Sequence, residues 1–425
     1  MTEEMTRVKR RWVFHIPGYD PFPARRYREL YRSESEKQAG LSGYDIAVQG
    51  QAKGQTDGWT VAATIDHQDV VARVDVLTWS DIVRQSMTQS IPGTYLQLFQ
   101  TSWTYITTGT LRRLFWMRKG PVLAALYPVA MLLAQLFFAL WLGLALGGLV
   151  ESALLWLAAL AGLTSGGAAT ALGWVAALLK YGILAVVLVN LLRWFKAQDG
   201  KLYAYYLMHD YAFTAKHRGA NPPELEERIA EFTKTIGDAF SGNVDEILVV
   251  GHSSGAHIAI SVLADLIRSG RVPAEGGPKL AFLSLGQVIP MVSFLPRARR
   301  LRSDMVFLAT HDLITWIDVS APGDGCSFAL CDPVAVTGIT PPGKRWPLIM
   351  SAAFTQTLSP ETWKELRWRF FRLHFQYLCA FDRPRDYDYF QITAGPVLLA
   401  DRYRDRPPSK SRIDVAVSRY TSLMP

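Results

Sequence analysis

Cysteine is almost missing from this chain: there are three in 425 residues, Cys326, Cys331 and Cys379. Three scattered thiols cannot build a disulfide framework, and Cys326 with Cys331 lacks the second pair that a zinc site needs. A reduced, cytosol-facing setting is the simpler expectation. Charge is also thin, with Asp, Glu, Lys and Arg at 19% of residues against the roughly 25% of ordinary soluble domains. Glycine (32) and proline (23) are too few for a fibrous repeat, and 13 Trp, 17 Tyr and 20 Phe offer too much buriable surface for a disordered chain. The first eleven residues mix acidic and basic side chains and have no apolar core or small-residue cleavage site, so no export signal is expected.

The missing charge is concentrated in one region. Val122 to Val150 carries none, Ser152 to Leu179 carries none, and only Glu151 and Lys180 interrupt the apolar stretch that ends at Leu192. A bilayer-spanning helix needs roughly 20 apolar residues. Spans at about 122–149 and 171–194 are therefore expected, joined by a polar turn around Thr164 to Thr170, with Lys180 snorkelling or facing the partner helix. Arg112, Arg113, Arg118 and Lys119 precede the first span, and Arg193, Lys196 and Lys201 follow the second. Positive charge stays on the cytoplasmic side, which places both flanking parts in the cytoplasm and the turn outside. Two spans with so few intramembrane polar groups suit an anchor better than a transporter.

Outside the hairpin, short β-type runs alternate with helical ones: Trp12 to Ile16, Tyr44 to Val48, Trp59 to Ile65, Val70 to Leu77, Ile247 to Val250, Leu280 to Leu285 and Ile314 to Val319. Leu225, Ile229, Phe232, Ile236 and Phe240 fall on one face of a helix over Glu224 to Phe240. The expected fold is α/β, a mostly parallel sheet with helices on both faces, interrupted by a two-helix transmembrane hairpin. Residues 1–111 and 201–425 would form the two parts of that domain and 112–200 the hairpin.

Directly after Ile247 to Val250 comes Gly251-His252-Ser253-Ser254-Gly255-Ala256-His257, then the helical run Ile258 to Ile267. This is G-x-S-x-G in its meaningful setting of strand, sharp turn and helix, which lifts a serine hydroxyl above the sheet and aims helix N–H groups at a developing oxyanion. A second element is His15-Ile16-Pro17-Gly18-Tyr19 at the end of the first strand. With these motifs the chain resembles the α/β-hydrolase superfamily, particularly lipases and esterases, over about Arg11 to Pro396. The resemblance implies Ser253 as nucleophile and backbone oxyanion donors at Ser254 and at Gly18 or Tyr19, since Pro17 has no N–H. His15 itself reads equally well as a packed strand histidine.

The resemblance also implies an acid and a histidine after Ser253, in that order. Asp304, Asp312, Asp318, Asp324 and Asp332 are available, and Asp324 is the choice because it sits in a loop at the end of a strand. His252 and His257 flank the nucleophile too closely and His311 precedes the acid, which leaves His374 as base. Its position after a helix-like stretch, Pro360 to Arg372, departs from the family pattern of a loop directly after the last strand. The expected activity is cleavage of carboxylic esters with apolar acyl groups, with no cofactor or metal. The alternative is an inactive scaffold that keeps the fold. Expected partners are the bilayer, an apolar ester and anionic headgroups at Arg297, Arg299, Arg300 and Arg302; nucleic acid is not expected, because the basic residues follow no binding motif.

Overall fold

Runs of β-branched and aromatic residues bounded by glycine, proline and polar turns become strands, and eight of them form one sheet. In the computed structural model, which describes residues 7–50, 58–87 and 89–424, the strands are β1 (Arg10–Ile16), β2 (Asp45–Gly50), β3 (Gly58–Ile65), β4 (Gln68–Val76), β5 (Glu246–His252), β6 (Lys279–Leu285), β7 (Ile314–Ser320) and β8 (Leu348–Ser351). Their order is β2-β3-β4-β1-β5-β6-β7-β8. β2, β3 and β4 form an antiparallel meander at one edge, and from β4 across β1 and β5 to β8 every pairing is parallel. The expected α/β class with a mostly parallel sheet is therefore what the chain adopts. β5 is buried along its whole length, as a central parallel strand covered on both faces should be.

This order positions the site. The chain leaves β1 towards one edge of the sheet and leaves β5 towards the other, so the loops that follow these two adjacent strands diverge. Such a switch point opens a crevice at the carboxyl ends of the strands. Beneath it, β1 and β5 are tied by a buried ion pair, Arg11 Nε to Glu246 Oε2 at 2.6 Å, and Arg11 also donates to the Gly395 carbonyl.

The chain forms two compact units. One holds the sheet and comprises the described parts of Met1–Ser86, Ser102–Ala124 and Phe213–Pro425; the other comprises Met87–Thr101 and Ala125–Ala212. This division differs from the boundaries expected at 112 and 200. Residues 112–124 stay with the sheet, where Thr110 donates to the Phe294 carbonyl and Arg118 to that of Ala329. The second unit extends to Ala212 and recruits an earlier helix, because Tyr95 donates to the Leu132 carbonyl and His209 hydrogen-bonds Gln97.

Two helices, Lys119–Leu160 and Gly166–Ala197, are long and apolar enough to cross a membrane. The first does not end near residue 149 as expected but continues through Glu151, and the turn is at residues 161–165. Charge explains the difference: Lys180 Nζ lies 2.7 Å from Glu151 Oε2, so the acid that reads as a break is paired across the hairpin. Small residues set the helix spacing. A Cβ added at Gly147 would lie 2.6 Å from the Lys180 carbonyl oxygen, and one at Gly143 would lie 3.1 Å from Leu184 Cα. Large apolar side chains such as Phe137, Trp141, Trp156 and Trp174 point outward.

Candidate active site

The elbow follows from three close backbone approaches. Ser253 has φ +55°, a left-handed conformation that costs a non-glycine residue about 1–3 kcal/mol and needs support from its surroundings. Support comes from the Ser253 N–H, which donates to the Leu285 carbonyl at 2.9 Å, and from the Ser253 carbonyl, which accepts from Ala256 N–H. A Cβ at Gly251 would lie 2.8 Å from Ala256 Cα, and one at Gly255 would lie 2.1 Å from the Ile16 carbonyl oxygen. Both glycines are needed because strand, helix Gly255–Arg268 and the end of β1 meet there. Gly18 completes the group, since a Cβ on it would lie 3.0 Å from Ser253 Cβ and 3.4 Å from its Oγ. The Gly18 backbone is thus beside the serine, and Ser254 opens the helix on the other side. Trp79 Nε1 holds the intervening loop by donating to the Pro17 carbonyl at 2.9 Å, while Tyr19 packs edge-on against Trp79.

The sequence candidates for acid and base come together. Asp324, in the loop after β7, accepts from His374 Nδ1 at 2.7 Å with Oδ2 and from the Cys326 N–H at 2.9 Å with Oδ1. Burial by itself would raise the Asp324 carboxyl, but the His374 imidazole beside it and its hydrogen bonds outweigh that and hold it below the ordinary value. With Nδ1–H committed to the carboxylate, Nε2 is the ring nitrogen left for proton transfer. His374 ends the short helix Phe370–His374, and its ring lies beside the elbow: its centroid is 4.8 Å from that of His252, and a Cβ at Gly286, the residue after the carbonyl that holds Ser253, would lie 3.2 Å from His374 Cε1.

The other acids have different tasks. Asp304 binds Ser261 and Arg268, Asp312 pairs with Arg345, and Asp332 caps helix Pro333–Val336 while pairing with Lys344. Asp318 points into the sheet, accepting from Ser284 Oγ at 2.6 Å, and its Oδ1 has no partner among the described residues. Burial pushes its carboxyl up to about 7. A carboxyl raised in the folded state binds a proton that the unfolded chain has released, so stability falls as pH rises between roughly 4 and 7. Asp318→Asn is expected to flatten that fall and to melt above the wild type near pH 8; thermal unfolding at both ends of the range checks it, and identical curves would contradict it.

Two contributors were not anticipated from sequence. The Tyr377 hydroxyl donates to Asp324 Oδ2 at 3.0 Å and accepts from the Ala321 N–H at 2.9 Å. His252, set aside as too close in sequence to Ser253, donates through Nε2 to the His374 carbonyl at 3.0 Å and so holds His374 through its backbone. Tyr377→Phe removes one donor to a buried carboxylate, an interaction of about 1.5–3 kcal/mol, so kcat/KM is expected to fall at least about tenfold. Steady-state kinetics check this, and an unchanged kcat/KM would leave Tyr377 with a packing role alone. His15 is a buried strand histidine packed against Tyr27, and burial holds it down to about 3.

The four-arginine patch is corrected. Arg302 is buried and donates to the Ser293, Leu295 and Ser422 carbonyls, and Arg300 pairs with Asp265 and Glu226. Only Arg297 and Arg299 of the four are exposed. No protein-family description, curated protein or solved structure matches the chain.

Proposed function

We propose that this protein is a membrane-anchored serine hydrolase with an α/β-hydrolase fold, acting on carboxylic esters with apolar acyl groups. The observation that carries this reading is the buried Asp324–His374 pair, 2.7 Å apart, with the His374 ring 4.8 Å from that of His252 in the strained turn that holds Ser253. His374 Nε2 takes the Ser253 proton as Oγ attacks the ester carbonyl, and Asp324 holds the tautomer and stabilises the imidazolium that forms. The Ser254 N–H and the backbone of Gly18 or Tyr19 receive the oxyanion. His374 then returns the proton to the leaving alcohol, and water, activated by the same base, releases the acid. The hairpin holds the enzyme where apolar esters partition, with both flanking parts in the cytoplasm, as the flanking positive charge supports.

The test is hydrolysis of medium-chain esters by the full chain in detergent. Wild-type protein should turn over, and Ser253→Ala should lose at least about three orders of magnitude in kcat. Full activity in Ser253→Ala would overturn the mechanism, and an inactive wild type would favour a membrane scaffold.

A further inference from the structure

Four residues before the base, the chain exposes an unusual run, Arg367-Trp368-Arg369-Phe370. Trp368 is 72% exposed and Phe370 49%. Arg367, Arg369 and Arg372 are exposed around them, and the nearby acid, Glu365, pairs with Arg369 at 3.0 Å and reaches Arg372 only at 3.9 Å. Large aromatics interleaved with arginine are poorly suited to water but well suited to a bilayer interface, where the rings sit at headgroup level and the guanidinium groups meet phosphates.

The neighbours of this run support that setting. A Cβ at Gly325, the residue after Asp324, would lie 3.4 Å from Phe370 Cδ1, and a Cβ at Gly120 would lie 3.4 Å from Gly325 Cα. Gly120 lies in the first turn of helix Lys119–Leu160, so the residue next to Asp324 packs against the start of that helix. In the same unit Phe115 and Trp116 are also exposed, with Lys119 Nζ 5.9 Å from the Phe115 ring and the Arg112 guanidinium 4.2 Å from that of Trp116. Exposed aromatic and basic residues thus occur both at the start of this helix and in the run before His374, and the Gly325 loop packs against both segments.

We infer that Trp368 and Phe370, flanked by Arg367, Arg369 and Arg372, form a lip that inserts into the headgroup layer of an anionic leaflet beside the catalytic pair. The lip commits the site to esters lying in that leaflet, and favours those whose headgroups are anionic. What the lip serves rests on the hydrolase reading; its contact with lipid does not.

The full chain, carrying Trp368→benzoylphenylalanine, is reconstituted in vesicles of phosphatidylcholine with or without phosphatidylglycerol and irradiated. A lipid adduct at position 368 is expected, increasing with phosphatidylglycerol. Adding Arg367→Gln and Arg369→Gln should lower the phosphatidylglycerol-dependent adduct at least about fivefold. No lipid adduct at 368, while the same probe at Trp141 gives one, would overturn the lip, as would cross-linking of 368 to a second copy of the chain. Fluorophosphonate labelling of Ser253 in the same vesicles separates the two readings: adduct without labelling sinks the hydrolase and keeps the lip, and labelling without adduct does the reverse.

Discussion

Asp324→Asn is expected to lower kcat for ester hydrolysis by about four orders of magnitude, the loss that follows when His374 is held in the wrong tautomer. The geometry gives the reason. Asp324 Oδ1 accepts the Cys326 N–H, so the asparagine carbonyl oxygen takes that place and turns its NH2 towards His374 Nδ1. An NH2 donates, so Nδ1 must accept and the ring proton moves to Nε2, the nitrogen that should receive the serine proton. Ser253 then has no base, although the site keeps its shape. Steady-state rates near neutral pH check this, with thermal unfolding as a control. A loss below about tenfold would mean that Asp324 does not orient the base.

Gly255→Ala is expected to destabilise the sheet unit by on the order of 3 kcal/mol or more, beyond the usual range for one added methyl group. Its Cβ would lie 2.1 Å from the Ile16 carbonyl oxygen and 2.6 Å from that of Pro17, and both are backbone atoms that cannot swing aside. Relief requires the elbow helix to move away from β1, which also parts Ser253 from Gly18. Gly40→Ala is the control: it lies inside helix Arg25–Ser42 with nothing within 4 Å of the added Cβ, and should be neutral or stabilising by up to about 1 kcal/mol. Thermal unfolding in detergent, with activity, checks the pair. Equal stability of the two variants would contradict the close packing of the elbow.

What was legible in the sequence is what short stretches of chain decide. Ile247 to Val250 followed by Gly251-His252-Ser253-Ser254-Gly255 announces a strand, a strained turn and a helix, because each step depends on neighbours in the chain. The order of acid and histidine implied by the resemblance, with a loop position, singled out Asp324 and His374, and the fold sets these two side chains 2.7 Å apart. Contacts between distant segments were not legible. Tyr377 reads as one ring in an aromatic cluster until folding brings its hydroxyl to Asp324, and His252 is excluded by sequence proximity although it reaches the His374 carbonyl rather than Ser253. Glu151 reads as the end of a helix until Lys180 neutralises it. Arg300 and Arg302 read as surface charge, since composition carries no information on burial, yet one closes an ion-pair network and the other gathers backbone carbonyls. Charge patterning drew attention to Arg297 to Arg302 and passed over Arg367 to Arg372, which is exposed and adjacent to the base.

The hydrolase reading depends on the reactivity of Ser253 above all, and the most direct measurement is covalent. Full-length protein in detergent is treated with a fluorophosphonate probe, digested, and the labelled peptide mapped. The result expected is one labelled residue, Ser253, with labelling abolished in Ser253→Ala and slowed in Asp324→Asn. Labelling that persists in Ser253→Ala, or an unreactive Ser253 in folded wild-type protein, would contradict it.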